Sequence, residues 1–195
     1  MNVPVFITSF GRTTMLNQCL ASLGWFDGIG EITVIDNTTN GNEFREQAAW
    51  GLGLVPQRGP YIVMDEDIEI DPGTLSDLIP RLLAASSVYA KVGLQIRTDD
   101  VPDVPRYAYS LVWERSLNAR RYAQSAIIHA EVDTHFAMYR TAFNPGICGV
   151  RLAAPYQCRH QPWYNVEFTA QEVDYYRRTG NEWARTHSAS ELCES

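Results

Sequence analysis

Four short apolar runs in the first hundred residues alternate with segments of helical spacing, and this alternation constrains the fold more than any other feature. The runs lie at residues 3–7, 32–35, 61–64 and 92–96. Between the first two, the apolar positions follow the i, i+3, i+4, i+7 spacing of an amphipathic helix that Thr13 or Thr14 caps: Leu16, Cys19, Leu20 and Leu23. The pattern predicts an α/β fold with a mostly parallel central sheet and helices on both faces.

The rest of the chain is less regular. We expect a short helix at 43–50, a helix after Asp71 and Pro72, and an aromatic helix at 107–121. Short strands are expected at 127–129 and 134–140, followed from residue 144 by a loop-rich C-terminal segment. A length of 195 residues suits one well-buried domain, so residues 1–195 are predicted to form a single domain.

The most informative stretch is the acidic segment that follows the third apolar run. That run leads directly into Asp65 and Asp67, and ligands of parallel sheets bind beyond the carboxyl ends of the strands. Divalent cations prefer oxygen ligands and share substrate phosphates, so the pair predicts a metal–diphosphate site. The alternative is a solvated acidic turn. For Glu69 and Asp71 we favour structural roles, with Asp71 capping the next helix.

Polar residues also follow the first two runs. Thr8, Ser9 and Arg12 surround a glycine at a strand–helix junction, where backbone N–H groups and an arginine can bind phosphate. Asp36 ends the second run and is placed to accept hydrogen bonds from a base or a ribose. The alternatives are an ordinary strand–helix turn and an Asx turn.

Two later segments carry further candidates. His160 lies among arginine and aromatic residues, where it is either a third metal ligand or the partner of an ordinary hydrogen bond. Trp163 and Tyr164 offer a platform for a sugar ring. Asp133 precedes an apolar run, which suits either a general base or an ion pair with an arginine such as Arg140.

Composition excludes several classes of function. The single lysine, Lys91, lies outside any Gly-Lys-Ser/Thr step, which argues against a P-loop. A net charge of −7 argues against general nucleic-acid binding. The four cysteines form no CxxC pair, residues 1–7 lack the basic start of a signal peptide, and no apolar run spans a bilayer. These features predict a cytoplasmic protein without an integral membrane segment.

Several segments together resemble one enzyme family. They are residues 3–23, the Val-Ile-Asp-Asn step at 34–37, the Asp-Glu-Asp strand end at 65–67, and the segments 93–103, 132–140 and 154–164. In this order they resemble small bacterial or phage glycosyltransferases of the GT-A fold, similar to family 2. The resemblance extends over residues 3–176, which is nearly the whole predicted domain.

The resemblance implies roles for particular residues. Residues 1–100 would form the nucleotide-sugar half, and residues 101–195 the acceptor side and C-terminal tail. The residues implied around the nucleotide are Thr8, Ser9, Arg12, Asp36, Asp65 and Glu66. The residues implied to hold Mn²⁺ or Mg²⁺ are Asp65, Asp67 and His160, with Asp133 as the candidate base.

The implied activity is transfer of a sugar from a UDP- or GDP-linked donor. The acceptor is left open among a glycan, a lipid-linked glycan, a protein and modified DNA. Two other functions remain as alternatives, a nucleotidyltransferase on a related α/β fold and a non-catalytic sugar-binding protein.

Overall fold

The computed structural model describes residues 1–36, 54–56, 58–102, 107–120, 125–132, 135–142 and 149–164. The helix expected at 43–50 lies outside these residues. The strands are β1 (Val3–Ser9), β2 (Ile29–Asp36), β3 (Tyr61–Asp65), β4 (Ile68–Ile70), β5 (Lys91–Ile96), β6 (Ile127–Ile128), β7 (Phe136–Tyr139) and β8 (Val150–His160). The α-helices are α1 (Thr13–Leu23), α2 (Leu78–Ser86) and α3 (Ala108–Asn118), and a 3₁₀ turn follows β8 at Gln161–Tyr164. No helix within these ranges combines the length and apolar character needed to cross a membrane.

The eight strands form one mixed sheet, in the order β2-β1-β3-β7-β5-β8-β4 with β6 also paired to β8. Parallel pairing joins β1 to β2, β1 to β3 and β5 to β8, whereas the other four pairs are antiparallel. The α/β class is therefore confirmed, and the prediction of a mostly parallel sheet is wrong. The reason is that central strands read as continuous apolar runs whichever way they point, so the pattern does not give β7 a direction.

The helices follow the apolar spacing, with one difference at α2. Helix α1 begins at Thr13, but its N-cap is Arg12 and no side chain makes a cap bond, so the prediction that Thr13 or Thr14 caps the helix is wrong. Helix α2 begins at Leu78 instead of directly after Pro72, because the segment after Asp71 makes a single turn, closed by Thr74 N to Asp71 O, whose Thr74 side chain is bonded to Gln157 of β8. Pro80 therefore lies in the first turn of α2, where the missing N–H leaves no helical bond unmade.

Strand β8 corrects the prediction that the chain is loop-rich from residue 144. Its eleven residues pair with β5, β6 and β4. Pairing with β5 shifts register after Leu94, so that Leu152 and Gln157 lie opposite consecutive residues of β5. Pro155 lies inside this irregularity, where its missing N–H breaks no ladder bond. Because a proline within an apolar run argues against a strand, the sequence pattern did not predict β8.

Apolar side chains form two main clusters on opposite faces of the sheet. The larger contains alternate residues of β1 and β3, such as Ile7 and Met64, together with residues of all three α-helices. The smaller contains the intervening residues, such as Phe6 and Val63. In the part of the chain that the structure describes, no helical residue belongs to the smaller cluster, whereas Leu117 of α3 belongs to a third cluster with Ile128 and Ala153, and Glu114 of α3 pairs with Arg151 of β8.

Candidate functional site

The carboxyl ends of β1, β2 and β3 bring the predicted nucleotide residues to one edge of the sheet. In the parallel register, Ser9 lies beside Asp36, and Thr8 lies beside Asp65. Strand β8 runs parallel to β5 and ends at the same edge with His160. The site is thus assembled from parts of the chain that are far apart in sequence. Asp36 is exposed at this edge, whereas the other residues are wholly or partly buried.

Thr8 and Asp65 form a direct cross-strand pair. Thr8 Oγ1 donates a hydrogen bond of 2.8 Å to Asp65 Oδ1, and both residues are buried. The hydroxyl fixes one carboxylate oxygen, and therefore the orientation of the whole group. The threonine predicted to line the nucleotide site acts here on the neighbouring carboxylate.

Glu66 ties the first strand–helix turn to the end of β3. Its Oε2 accepts a 2.6 Å bond from Ser9 Oγ, and its Oε1 accepts a 2.7 Å bond from Arg12 Nε. Glu66 is fully buried, and Arg12 is only 1% exposed. The carboxylate of Glu66 therefore holds Ser9 and Arg12 in place, and its predicted contact with a nucleotide stays a prediction.

Asp67 lies where three segments meet. Its Oδ2 is 2.8 Å from Arg12 Nη2 and 3.6 Å from His160 Nε2. Its backbone oxygen accepts a 2.9 Å bond from the N–H of Gln161. The Gln161 side chain donates in turn to Met15 O at 3.1 Å, which attaches the turn after β8 to α1. Asp67 is thereby held at the junction of α1, β3 and β8.

The predicted metal ligands are only partly brought together. Asp67 and His160 are neighbours, while Asp65 is bonded to Thr8. Over the described ranges, no group of three or more His, Cys, Asp or Glu side chains is arranged to hold a metal ion. A carboxylate oxygen beside an imidazole nitrogen nevertheless fits Mn²⁺ chemistry, since such ions commonly complete their shell with water and substrate phosphates. The chain would supply Asp67 and His160, with Asp65 close by along the chain.

The thiol of Cys19 lies beneath this group of acids. Burial raises the pKa of the Cys19 thiol, and the charges of Asp67, Glu66 and Asp65 raise it further. Its Sγ lies 4.0 Å from Asp65 O. The thiol is therefore protonated and packs beneath the site as a small apolar group.

Asp71 belongs to a separate ionic network that sequence reasoning missed. Its Oδ2 accepts bonds from Arg97 Nη1 at 3.1 Å and from Arg159 Nε at 2.8 Å. Arg159 also bonds to Asp100, which accepts a 2.7 Å bond from Tyr164 Oη. The network joins the ends of β4, β5 and β8. The structural role predicted for Asp71 is confirmed, but it pairs with arginines and does not cap a helix.

The remaining candidates have different surroundings. Trp163 is 6% exposed and its ring lies 4.8 Å from that of His160, centroid to centroid. The guanidinium of Arg159 covers the ring of Tyr164 at 5.3 Å. These contacts are packing contacts, and sugar binding by either ring stays a prediction. Asp133 lies outside the described residues.

His135 is a member of this edge that no sequence motif indicated. Its backbone oxygen accepts a 3.2 Å bond from Asp65 N, which places it beside the end of β3. It lies two residues after Asp133, within the segment 132–140 that resembles the glycosyltransferases, but no role was predicted for it. No family model matches this chain, and a search of curated proteins gives no match either.

Proposed function

We propose that this chain is a metal-dependent glycosyltransferase of the GT-A type, which transfers a sugar from a nucleoside-diphosphate sugar to an acceptor. One observation carries the proposal. Asp67 meets both Arg12 and His160 at the edge where Thr8, Ser9, Asp36 and Asp65 end three neighbouring parallel strands. A carboxylate, a guanidinium and an imidazole at such an edge are suited to a diphosphate and its cation.

In the proposed reaction, the bond between the anomeric carbon and the diphosphate oxygen breaks, and a bond to an acceptor oxygen forms. A bound divalent cation would neutralise charge on the departing diphosphate as a Lewis acid. Arg12 keeps Asp67 oriented, and Thr8 keeps Asp65 oriented. Asp133 is the proposed base that takes the proton of the acceptor hydroxyl.

The GT-A assignment rests on the strand ends and on the sequence segments described above. The parallel strands β2, β1 and β3 carry the proposed nucleotide residues, and the mixed half of the sheet contributes His160. Most of the proposed site residues lie in residues 1–100, which carry the whole net charge of −7. A cation between these acids and the diphosphate lets an acidic protein accept an anionic substrate.

Calorimetric titration with UDP and with GDP, each with and without Mn²⁺, tests the proposal. We expect binding of at least one nucleotide that depends on Mn²⁺. Asp67→Asn should weaken it by about tenfold or more, because the neutral amide is a poor ligand for a hard cation. Quenching of the free Mn²⁺ signal in electron paramagnetic resonance measures the metal separately.

Asp27→Asn is the matched control, because Asp27 is an exposed aspartate after α1, away from this edge. It should bind nucleotide and Mn²⁺ as the wild type does. The proposal fails if neither nucleotide binds in the presence of Mn²⁺, or if Asp67→Asn binds like Asp27→Asn.

Turnover separates transfer from the other activities. Hydrolysis of UDP- or GDP-sugars that releases the nucleoside diphosphate supports a transferase. Release of pyrophosphate from a nucleoside triphosphate and a sugar phosphate would indicate a nucleotidyltransferase instead. Glycan binding without donor hydrolysis would indicate a sugar-binding protein.

A further inference from the structure

His135, immediately before β7, lies directly opposite Asp65 at the end of the neighbouring strand β3. The antiparallel register of β3 and β7 pairs Met64 with Phe136, and the next bond, from Asp65 N to His135 O, continues that ladder. Residues directly opposite on antiparallel strands have their Cβ atoms about 4.5–5.5 Å apart. The side chains of His135 and Asp65 are therefore neighbours at the proposed nucleotide-sugar site.

Alternation along the strands places both side chains on the same face of the sheet. Val63 and Ala137 belong to the smaller cluster, and Asp65 and His135 follow them with the period of two that strands impose. Thr8 follows Phe6 on β1 in the same way, and its bond to Asp65 agrees with this. Thr8, Asp65 and His135 thus form a polar row across three adjacent strands, next to one another on one face.

Of the two ring nitrogens of His135, Nε2 has a hydrogen-bond partner among the described residues and Nδ1 has none. Its Nε2 lies 3.3 Å from Leu94 O, and a carbonyl oxygen only accepts, so Nε2 carries the proton. Nδ1 is then an acceptor, and it has no hydrogen-bond partner among the described residues. His135 is only 5% exposed. A buried acceptor without a partner is costly, which indicates that something binds there.

The carbonyl partner of Nε2 fixes the tautomer in which Nδ1 carries the lone pair. A neutral acceptor beside a carboxylate suits a hydroxyl group, which can donate to one of them and accept from other groups.

We propose that His135 is a ligand-binding residue whose Nδ1 accepts a hydrogen bond from a hydroxyl of the bound nucleotide sugar. This inference rests on the proposed glycosyltransferase function and adds a specificity-determining residue to it. The hydroxyl belongs either to the ribose or to the transferred sugar. The two sources share one chemistry, and the choice of titrant distinguishes them.

Two substitutions distinguish the role of Nε2 from the role of Nδ1. In His135→Gln the amide nitrogen reaches the position of Nε2 and keeps the bond to Leu94 O, while the Nδ1 acceptor is lost. In His135→Asn the shorter side chain places its oxygen near Nδ1 and loses the bond to Leu94 O. Thermal unfolding of both variants measures the effect of losing the bond to Leu94 O. Calorimetric titration measures the effect of losing the proposed bond from the ligand to Nδ1.

We expect His135→Gln to keep the unfolding temperature of the wild type and to bind UDP-glucose or GDP-glucose about three- to tenfold more weakly in the presence of Mn²⁺. His135→Asn should unfold at a lower temperature and bind the same ligand more tightly than His135→Gln. If UDP or GDP alone shows the same loss, the hydroxyl is that of the ribose. If only the glucose conjugate shows it, the hydroxyl is that of the sugar.

Long-range ¹H–¹⁵N NMR adds a readout that a purely structural histidine would not change. The Nδ1 resonance of His135, assigned by its absence in His135→Gln, should move when the bound ligand is added. The inference about His135 is overturned if the wild type binds nucleotide sugar and His135→Gln binds it equally well. Wild-type protein that binds none of the four probes would overturn the proposed function, and this inference with it.

Discussion

At the scale of single residues, the site is held by charges that are removed from water. Arg12 lies between Glu66 and Asp67, and all three side chains are nearly inaccessible. Such a group stabilises the fold only while every partner is present, because a buried charge that loses its partner keeps the full cost of its desolvation. Arg12 is therefore as important for folding as for the proposed binding of phosphate.

Replacing Arg12 with methionine tests this dependence. Arg12→Met keeps most of the side-chain volume but leaves Glu66 and Asp67 without the guanidinium. We expect the free energy of unfolding to fall by about 3–5 kcal/mol, the usual effect of removing one partner from a buried pair. Urea denaturation followed by circular dichroism measures it.

Arg81→Met is the matched control, because Arg81 pairs with Asp77 on the exposed side of α2. Exposed pairs of this kind contribute little, so its urea midpoint should remain close to that of the wild type. Equal midpoints for Arg12→Met and Arg81→Met would show that the buried group is not important for stability.

Buried cysteines give a second prediction at this scale. Burial raises the pKa of the thiols of Cys19 and Cys158, and the thiolate is the reactive form. In a variant with Cys148→Ser and Cys193→Ser, neither remaining thiol should react with Ellman's reagent in the native protein. Both should react in guanidinium chloride. Rapid reaction of the native variant would contradict the burial of these two residues.

At the scale of elements, periodicity predicted those parts whose packing is local. Helix α1 and strands β1 and β3 lie where apolar spacing placed them, because each buries a face that its own residues define. Strand β8 was missed because its partners are distant in sequence and Pro155 interrupts its pattern. The start of α2 was misplaced because the turn after Asp71 is bonded through Thr74 to Gln157 of β8, a partner distant in sequence.

Gly93 gives a test of how closely the central strands pack. It lies in β5 between β7 and β8, and a Cβ there would lie 2.6 Å from Val132 Cγ1 and 2.9 Å from Phe136 O. Gly93→Ala must displace one of them, so we expect a loss of about 1–3 kcal/mol in the free energy of unfolding. Chemical denaturation measures the loss.

Gly24→Ala serves as its control. Gly24 follows α1 in a right-handed helical conformation, and a Cβ there would meet nothing nearer than Ala21 O at 3.4 Å. This variant should be as stable as the wild type or slightly more stable, because alanine restricts the unfolded chain. If Gly93→Ala proves as stable as Gly24→Ala, the close packing around β5 is not rigid.

At the scale of the whole molecule, the candidate site depends on contacts that no single segment contains. Asp65 and Asp67 were recognisable because the strand and its acidic end are adjacent in sequence. The bonds that position them come from Thr8, Arg12 and the turn after β8. Such contacts follow from strand order and register, which the alternation of apolar runs leaves undetermined. The same reason explains why His135 was not predicted.

The pH dependence of stability reports one of these long-range connections. Burial raises the pKa of Asp71, but the hydrogen bonds from Gly73 N and Arg97, with the charges of Arg159 and Arg97, outweigh it and lower the pKa below the ordinary 3.8. The folded state therefore holds fewer protons on Asp71 than the unfolded chain. Its contribution to stability is complete above the ordinary pKa and is lost as the pH falls through the lower, folded value.

Asp71→Asn should therefore reduce stability near neutral pH and make the loss of stability below about pH 4 less steep. Urea midpoints measured from about pH 2 to pH 7 give both quantities. Asp27→Asn makes the same chemical change at an exposed carboxylate. Its urea midpoints should follow those of the wild type closely at every pH. If the urea midpoints of Asp71→Asn and of the wild type fell equally steeply below about pH 4, the arginines of β5 and β8 would not hold Asp71 in its charged form. The connection from β4 to those strands would then rest on backbone pairing and apolar contacts.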